Sequence, residues 1–201
     1  MTRIGHFFIS INAQKMIYPN IKKGRNDIAQ QIIMIDNNMG KLISLEGISG
    51  TGKTTVLNKL ETIFDKNSNV VFLKEVFDEV HVGLGKKIFD SLYYTHDRFF
   101  DMGVPYTETM LLLARLMYQY ECVINNAIYN GYTVITDRGI DSVIIAQAIM
   151  TQKKYNIDIV CFIDNLDSFL KKLIRYPDKT YVLFGCPNTS IKRAEMRDQI
   201  Y

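Results

Sequence analysis

Residues 47–54 read Gly-Ile-Ser-Gly-Thr-Gly-Lys-Thr, which fits the pattern of a glycine, four residues and then Gly-Lys-Thr. A short apolar run at residues 41–46 precedes the stretch and predicts a buried strand, and residues 55–64 carry apolar side chains at helical spacing. A strand, a glycine-rich turn and a helix in this order are typical of a phosphate-binding loop. The octapeptide therefore predicts a binding site for a nucleoside triphosphate.

Each residue type in this loop has a physical task. Glycines let the backbone turn tightly and bring its N–H groups close to a polyanion, and the N-terminus of the following helix adds its positive dipole end. Lys53 is predicted to reach the β- and γ-phosphates of ATP, and the Thr54 hydroxyl is predicted to ligate Mg²⁺. The predicted nucleotide-binding residues are Gly47, Ser49, Gly50, Thr51, Gly52, Lys53, Thr54 and Thr55.

Strand-like and helix-like segments alternate after the loop. The predicted strands cover residues 70–73, 133–136 and 180–184, and the predicted helices cover residues 84–94, 107–130, 141–151, 166–175 and a last segment that runs to residue 197. Thr107 is the predicted N-cap of the long helix, and Gly131 its stop. This alternation predicts an α/β fold of the P-loop NTPase type, a parallel sheet with helices on both faces.

Charge and composition divide the chain near residue 39. The first 38 residues carry the whole net charge of +3, whereas residues 39–201 hold equal numbers of acidic and basic side chains. We interpret residues 1–38 as an N-terminal extension, poorly ordered or loosely packed, and residues 39–201 as a single P-loop domain. The neutral domain disfavours nucleic-acid binding. No segment is apolar for long enough to span a membrane, which excludes a membrane-spanning class.

The three cysteines are scattered along the chain and lie in apolar runs, at Cys122, Cys161 and Cys186. Their spacing matches neither a zinc site nor a disulfide framework. We therefore predict that they are reduced core residues of a cytoplasmic protein.

A second group of polar residues, Asp137-Arg138, follows the third predicted strand. An aspartate at a strand end beside a phosphate loop can hold Mg²⁺ through its water shell, and the neighbouring arginine can contact phosphate oxygens with two parallel hydrogen bonds. Ligands of parallel sheets bind at this edge, where Gly47 and Glu75 are also predicted to lie. The chain has no Asn-Lys-x-Asp run for reading guanine and no Asp-Glu pair of the motor-ATPase kind. A small-molecule kinase fits these residues better than a GTPase or a motor ATPase.

From about residue 39 to residue 197 the chain resembles the thymidylate kinase family. The resemblance is carried by an ordered set of segments rather than by the phosphate loop alone. The matching segments are Glu46 to Thr55, the strand end at Glu75, residues 84–88, Thr107-Glu108, residues 130–138 with Ser142 and Gln147, Pro177-Asp178, and Lys192-Arg193.

The resemblance implies an ATP- and Mg²⁺-dependent transfer of a phosphoryl group to a nucleoside monophosphate, dTMP or a related acceptor. It implies that Lys53 and the loop amides hold ATP, that Thr54 and Asp137 lie at the metal, and that Arg138 contacts the acceptor's phosphate. Glu75 would then lie beside the acceptor's sugar or phosphate. Because position 51 is a threonine, the loop supplies no arginine to the transition state. Arg193 or Arg197 of the last helix is expected to supply that charge.

Three positions depart from the family's thymidine-reading pattern. The aromatic residue that stacks on the base aligns with Leu112, the arginine that reads the base aligns with Leu116, and the tyrosine after Asp-Arg aligns with Gly139. Arg115 lies one position too early, about 100° around an α-helix. The sequence thus predicts a retained donor site and a lost thymidine pocket. The chain also stops near the lid helix, so we expect the family's last strand and helix to be missing.

Two further functions stay open at this point. A deoxynucleoside kinase would use Glu75 as a base toward a sugar hydroxyl, although Asp137 and Gln147 argue against it. A nucleotide-binding module without catalysis, truncated or regulatory, would account for the altered base pocket. The long helix at 107–130 is apolar on more than one face, which predicts a homodimer through that helix.

Overall fold

The computed structural model describes residues 40–64, 68–74, 83–92 and 103–198. The predicted N-terminal extension at residues 1–38 and the predicted site residue Glu75 lie outside these ranges. Among the described helices, none combines the length and the hydropathy needed to cross a membrane.

The described part of the chain forms one four-stranded sheet in which every pair of neighbours is parallel. Its strands are β1 (Leu42–Glu46), β2 (Val70–Leu73), β3 (Thr133–Asp137) and β4 (Lys179–Val182), in the spatial order β2-β3-β1-β4. The central strand β1 pairs Leu45 with Asp137 on one side and with Tyr181 on the other. The carboxyl ends of these three strands therefore meet at one edge, as the alternating sequence pattern predicts.

Seven α-helices and one π-helical turn complete the described elements. They are α1 (Lys53–Ile63), α2 (Gly83–Leu92), α3 (Pro105–Gln119), the π-helix (Tyr120–Ile124), α4 (Asn125–Tyr129), α5 (Ile140–Tyr155), α6 (Ile159–Leu170) and α7 (Pro187–Asp198).

Helices cover both faces of the sheet, as predicted. Side chains alternate along a strand, so successive residues of β1 point to opposite faces. Leu42 joins an apolar cluster formed with buried side chains of α3, α5 and α6. Ile43 and Leu45 join a second cluster formed mainly with α1. The two clusters fix the sheet between its helices, and they leave the carboxyl edge of the strands for the site.

The long predicted helix is present, but its start and its regularity differ from the prediction. It begins at Pro105 rather than at Thr107, because proline suits the first helical position and the Glu108 side chain accepts a hydrogen bond of 3.0 Å from the Val104 N–H. The π-helix interrupts it at Tyr120–Ile124 before the chain continues into α4. Gly131 has a φ of 80°, a left-handed conformation that suits its predicted place after the helix end.

The helix predicted at residues 166–175 is displaced in the structure. It runs from Ile159 to Leu170, and Asp158 caps it by accepting hydrogen bonds from the backbone N–H groups of Val160 and Cys161. An aspartate before an apolar run is a helix-start signal, which makes Asp158 the overlooked residue.

The prediction that the cysteines belong to the core is wrong. Cys122, Cys161 and Cys186 are all exposed free thiols. Cys161 lies on the exposed side of α6, whereas Ile163 and Leu170 are the buried residues of that helix. Cys122 lies on the exposed side of the π-helix, whereas Tyr120 and Ile124 are its buried residues.

Asp141, in the first turn of α5, gives a test of the charge distribution near the sheet edge. Burial raises the pKa of Asp141 to about 7, and the nearby carboxylates of Glu46 and Asp167 act in the same direction. The positive charge of Lys171 acts in the opposite direction. Because this pKa lies above the value in the unfolded chain, the folded state loses stability as pH rises from about 4 to about 7. Asp141→Asn is expected to stabilise the fold by roughly 2–4 kcal/mol at pH 8, at about 1.4 kcal/mol per pKa unit, and by much less at pH 4.

Thermal unfolding of both proteins at pH 4, 6 and 8 measures this difference. The exposed Asp164 on α6 provides the matched control, since Asp164→Asn makes the same chemical change outside the buried environment. A gain for Asp141→Asn that does not grow with pH would contradict the buried-carboxylate interpretation.

Candidate active site

The phosphate loop joins β1 to α1 and has three glycines with positive φ, Gly47, Gly50 and Gly52. A side chain is excluded at two of them, because a Cβ on Gly47 would lie 2.5 Å from the Leu183 carbonyl oxygen and one on Gly50 would lie 2.0 Å from that of Ser190. The loop therefore packs tightly against the end of β4 and the start of α7. Its N–H groups and the N-terminus of α1 surround the position of an anion.

The Lys53 ammonium folds back over this loop. Nζ donates hydrogen bonds of 2.9 Å to the Gly47 carbonyl and 3.0 Å to the Ile48 carbonyl, and the side chain is only 5% exposed. The cation is thus held at the phosphate loop.

Thr54 and Asp137 join the loop to the end of β3. The Thr54 hydroxyl donates a hydrogen bond of 2.8 Å to Asp137 Oδ2 across 83 residues of sequence. A hydroxyl and a carboxylate oxygen side by side are ligand types that Mg²⁺ prefers. The two predicted metal residues are therefore together, and their chemistry fits the ion.

Arg138 turns back toward the start of the loop. Its φ of 71° puts the backbone in the left-handed region, which costs a residue other than glycine roughly 1–3 kcal/mol. The Arg138 N–H donates to the Leu45 carbonyl at 2.9 Å, and Nη1 donates to the Gly47 carbonyl at 3.3 Å. The strained turn therefore directs the guanidinium to the phosphate loop, where an anionic substrate would approach.

Glu46, the last residue of β1, was not among the predicted site residues. Its carboxylate is buried and accepts hydrogen bonds from the hydroxyls of Ser44 and Ser142. Burial raises the pKa of Glu46, while those two hydroxyls and the Arg138 charge act in the opposite direction. Two sequence signals pointed to this group: Glu46 ends an apolar strand, and it opens the first segment that resembles the family.

The predicted lid helix α7 lies against the loop through its first turn. The Ser190 carbonyl adjoins Gly50, and Ser190 and Ala194 are buried. Arg193 lies one turn beyond Ser190 and is exposed, so its side chain is available to solvent near the loop. The side chain of Arg197 lies outside the described residues.

Two of the departures found in the sequence lie on α3. Leu112 and Leu116 are both buried in the core. Arg115 is fully buried, and none of its three guanidinium nitrogens has a hydrogen-bond partner among the described residues. Glu108, two turns earlier on the helix, is also buried, and its Oε2 likewise lacks a partner there. Buried polar groups without partners are rare, which makes this face of α3 a candidate ligand contact.

The third departure, Gly139, has a packing reason. A Cβ at this position would lie 2.9 Å from Ser44 Oγ and 3.3 Å from Glu46 Oε1. The side chains of Ser44 and Glu46 thus fill the space next to Gly139, and a tyrosine would require both to move.

Comparisons with known proteins point to one family. The family model for thymidylate kinase matches residues 45–201. A thymidylate kinase of Buchnera aphidicola is 32% identical over 163 residues, covering 80% of this chain and 72% of the relative. A probable thymidylate kinase of Methanosarcina barkeri is 30% identical over 167 residues, with the same coverage.

A solved structure gives the same result. The thymidylate kinase of Ehrlichia chaffeensis superposes with a TM-score of 0.53 at 25% identity, covering 81% of each chain. The fold, the phosphate loop and the Asp137-Arg138 strand end, together with the match over residues 45–201, lead to one conclusion. This chain belongs to the thymidylate kinase family of P-loop nucleoside monophosphate kinases.

Proposed function

We propose that this chain transfers the γ-phosphoryl group of ATP to dTMP, with Mg²⁺ as the cofactor. The observation that carries the choice of acceptor is the fully buried Arg115, whose guanidinium has no hydrogen-bond partner among the described residues. Burial also lowers the pKa of Arg115, so the folded chain holds a desolvated donor group. The carbonyl oxygens of a pyrimidine base are acceptors that such a group needs.

The donor half of the reaction belongs to the loop. ATP phosphates would lie against the loop N–H groups, and the Lys53 ammonium would exchange the Gly47 and Ile48 carbonyls for phosphate oxygens. Thr54 and Asp137 would hold Mg²⁺, which supplies neutralisation of phosphate charge when bound.

The acceptor half would use Arg138, whose guanidinium lies at the start of the loop beside Gly47. It would bind the acceptor's phosphate and keep it close to the γ-phosphoryl group. Arg193 would add positive charge from α7 in the transition state. The roles of Glu75 and Arg197 stay predictions, because the structure describes neither side chain.

The π-helix reconciles Arg115 with the family pattern. A π-turn contains one more residue than the α-helical path it replaces. A gap-free alignment, which treats Tyr120–Ile124 as ordinary α-helix, assigns Leu116 to the base-reading position. If one residue of the π-turn is treated as an insertion, every residue before the turn shifts by one position. Arg115 then takes the base-reading position, and Leu111 takes the stacking position. The base-reading arginine is therefore present by this count, while the stacking residue is aliphatic.

The other sequence-based alternatives gain no support. The family match favours neither a deoxynucleoside kinase nor a module without catalysis. Homodimerisation through residues 107–130 stays a prediction, and so does the cytoplasmic location. Three of the apolar residues that suggested the dimer, Leu112, Leu113 and Leu116, are buried within this chain's own core.

The acceptor preference follows from the donor character of Arg115. Among deoxynucleoside monophosphates, dTMP and dUMP are expected to be phosphorylated, whereas dCMP has an amino group at the corresponding edge and is expected to react at least tenfold more slowly. Mass spectrometry of the products over a panel of monophosphates measures this preference. Absence of transfer to every acceptor while ATP still raises Tm would overturn the kinase proposal.

Replacing Arg115 separates function from stability. Arg115→Met keeps an unbranched apolar stem but removes the buried cation, so Tm is expected to rise. The KM for dTMP is expected to rise about 10- to 100-fold, the loss expected for a hydrogen bond to a charged group. The KM for ATP should stay unchanged. Arg175→Met, at an exposed ion pair with Asp178, is the control and should alter neither KM. An unchanged KM for dTMP in Arg115→Met would refute the base-reading role.

Lys53→Met tests the donor site. It is expected to abolish the rise in Tm caused by ATP with Mg²⁺ and to lower kcat by more than a hundredfold, because the phosphate charge loses its main protein cation. Lys59→Met, on the exposed side of the same helix, should keep both signals. ATP stabilisation that survives Lys53→Met would mean that the loop does not bind the triphosphate.

A further inference from the structure

A buried carboxylate lies behind Arg138, and its hydrogen bonds have a fixed direction. Ser142 Oγ accepts from the Arg138 guanidinium, which can only donate, and it donates its own proton to Glu46 Oε2. The lone pairs of the same hydroxyl are then left for the Arg138 guanidinium, whose Nη1 donates to Ser142 Oγ at 3.4 Å. Glu46, Ser142 and Arg138 form a chain of donors and acceptors that we call the carboxylate bridge.

The other oxygen of Glu46 is held separately. Ser44 Oγ donates to Glu46 Oε1 at 2.8 Å, and the Gly139 N–H donates a further hydrogen bond to the carboxylate. Gly139 permits this close approach, since any Cβ there would meet Ser44 and Glu46. The absence of a side chain directly after Arg138 is thus part of how the carboxylate is held.

Arg138 has an unusual backbone conformation and long side-chain hydrogen bonds to its described partners. Its backbone is in the left-handed region, and its described side-chain hydrogen bonds, to Gly47 at 3.3 Å and to Ser142 at 3.4 Å, are long. Long hydrogen bonds orient a group weakly. The Arg138 charge also acts directly on Glu46, where it lowers the pKa of the carboxyl against the larger effect of burial.

We propose that Glu46 is a positioning residue for the transfer reaction. It holds the Arg138 guanidinium, through the carboxylate bridge, in the orientation that receives the acceptor's phosphate. This role rests on the proposed function, in which Arg138 contacts that phosphate. Glu46 itself touches neither substrate, and it acts before the acceptor arrives by reducing the orientations that Arg138 can adopt.

The test compares kinetics and acceptor binding in Glu46→Gln and Ser142→Ala. Glu46→Gln is expected to raise the KM for dTMP about tenfold and to leave the KM for ATP within twofold. Ser142→Ala should act in the same direction by about threefold, because the charge of Glu46 remains. Ser44→Ala is the matched control, since it removes a hydroxyl from the oxygen of Glu46 that does not lead to Arg138. It should change the KM for dTMP less than twofold.

A double-variant experiment isolates the path through Arg138. Calorimetry on the whole chain measures the Kd of dTMP for Glu46→Gln, for Arg138→Ala and for the two substitutions combined. In the Arg138→Ala background, adding Glu46→Gln is expected to change the Kd less than twofold. An undiminished effect there, or an equal rise in the KM for ATP, would overturn the proposal. If Glu46→Gln fails to fold, the same comparison with Ser142→Ala decides it.

Failure of the proposed function gives a different result. A wild-type chain that binds ATP but phosphorylates another monophosphate in place of dTMP refutes the choice of acceptor. The same variants are then measured with that acceptor, and the coupling between Glu46 and Arg138 still supports or overturns the positioning role.

Discussion

The parallel pairing of β1 with β3 is the constraint on which the site depends. It aligns Leu45 with Asp137, so the strand that leads into the phosphate loop ends beside the strand that carries Asp137-Arg138. Residues far apart in sequence thereby come within hydrogen-bond distance, as Thr54 and Asp137 do at 2.8 Å. A register shift of β3 by one residue would turn its side chains to the opposite face and separate Asp137 from Thr54.

The features that the sequence predicts well are those with a local physical cause. Glycines at positive φ, an apolar strand and a helix start define the loop without reference to the rest of the fold, and alternating strands and helices imply a parallel sheet. The features that it missed depend on tertiary context. The burial of Glu46, the exposure of Cys161 and the packing around Gly139 follow from which face of an element meets a neighbour, and the sequence alone does not define that face.

The site also concentrates groups that disfavour folding. These groups are the left-handed Arg138, the desolvated Glu46 carboxylate and the fully buried Arg115. Each destabilises the free chain, and each is suited to a ligand or to a neighbour that supplies the missing contact. The two apolar clusters, one on each face of the sheet, stabilise the fold and offset the destabilisation by these groups.

The π-helix has a consequence for how this family can diverge. The π-turn rotates the residues before Tyr120 by about 100° around the helix axis, compared with an uninterrupted α-helix of the same sequence. Deletion of a single codon within the turn would remove the extra residue and restore a regular helix, with Arg115 still at the proposed base-reading position. Straightening of the turn with every residue retained would instead rotate the N-terminal half of the helix and bring Leu116 to that position without any substitution. Substrate recognition in this fold can thus depend on the pitch of a distant turn, and a gap-free alignment of the helix would compare the wrong residues.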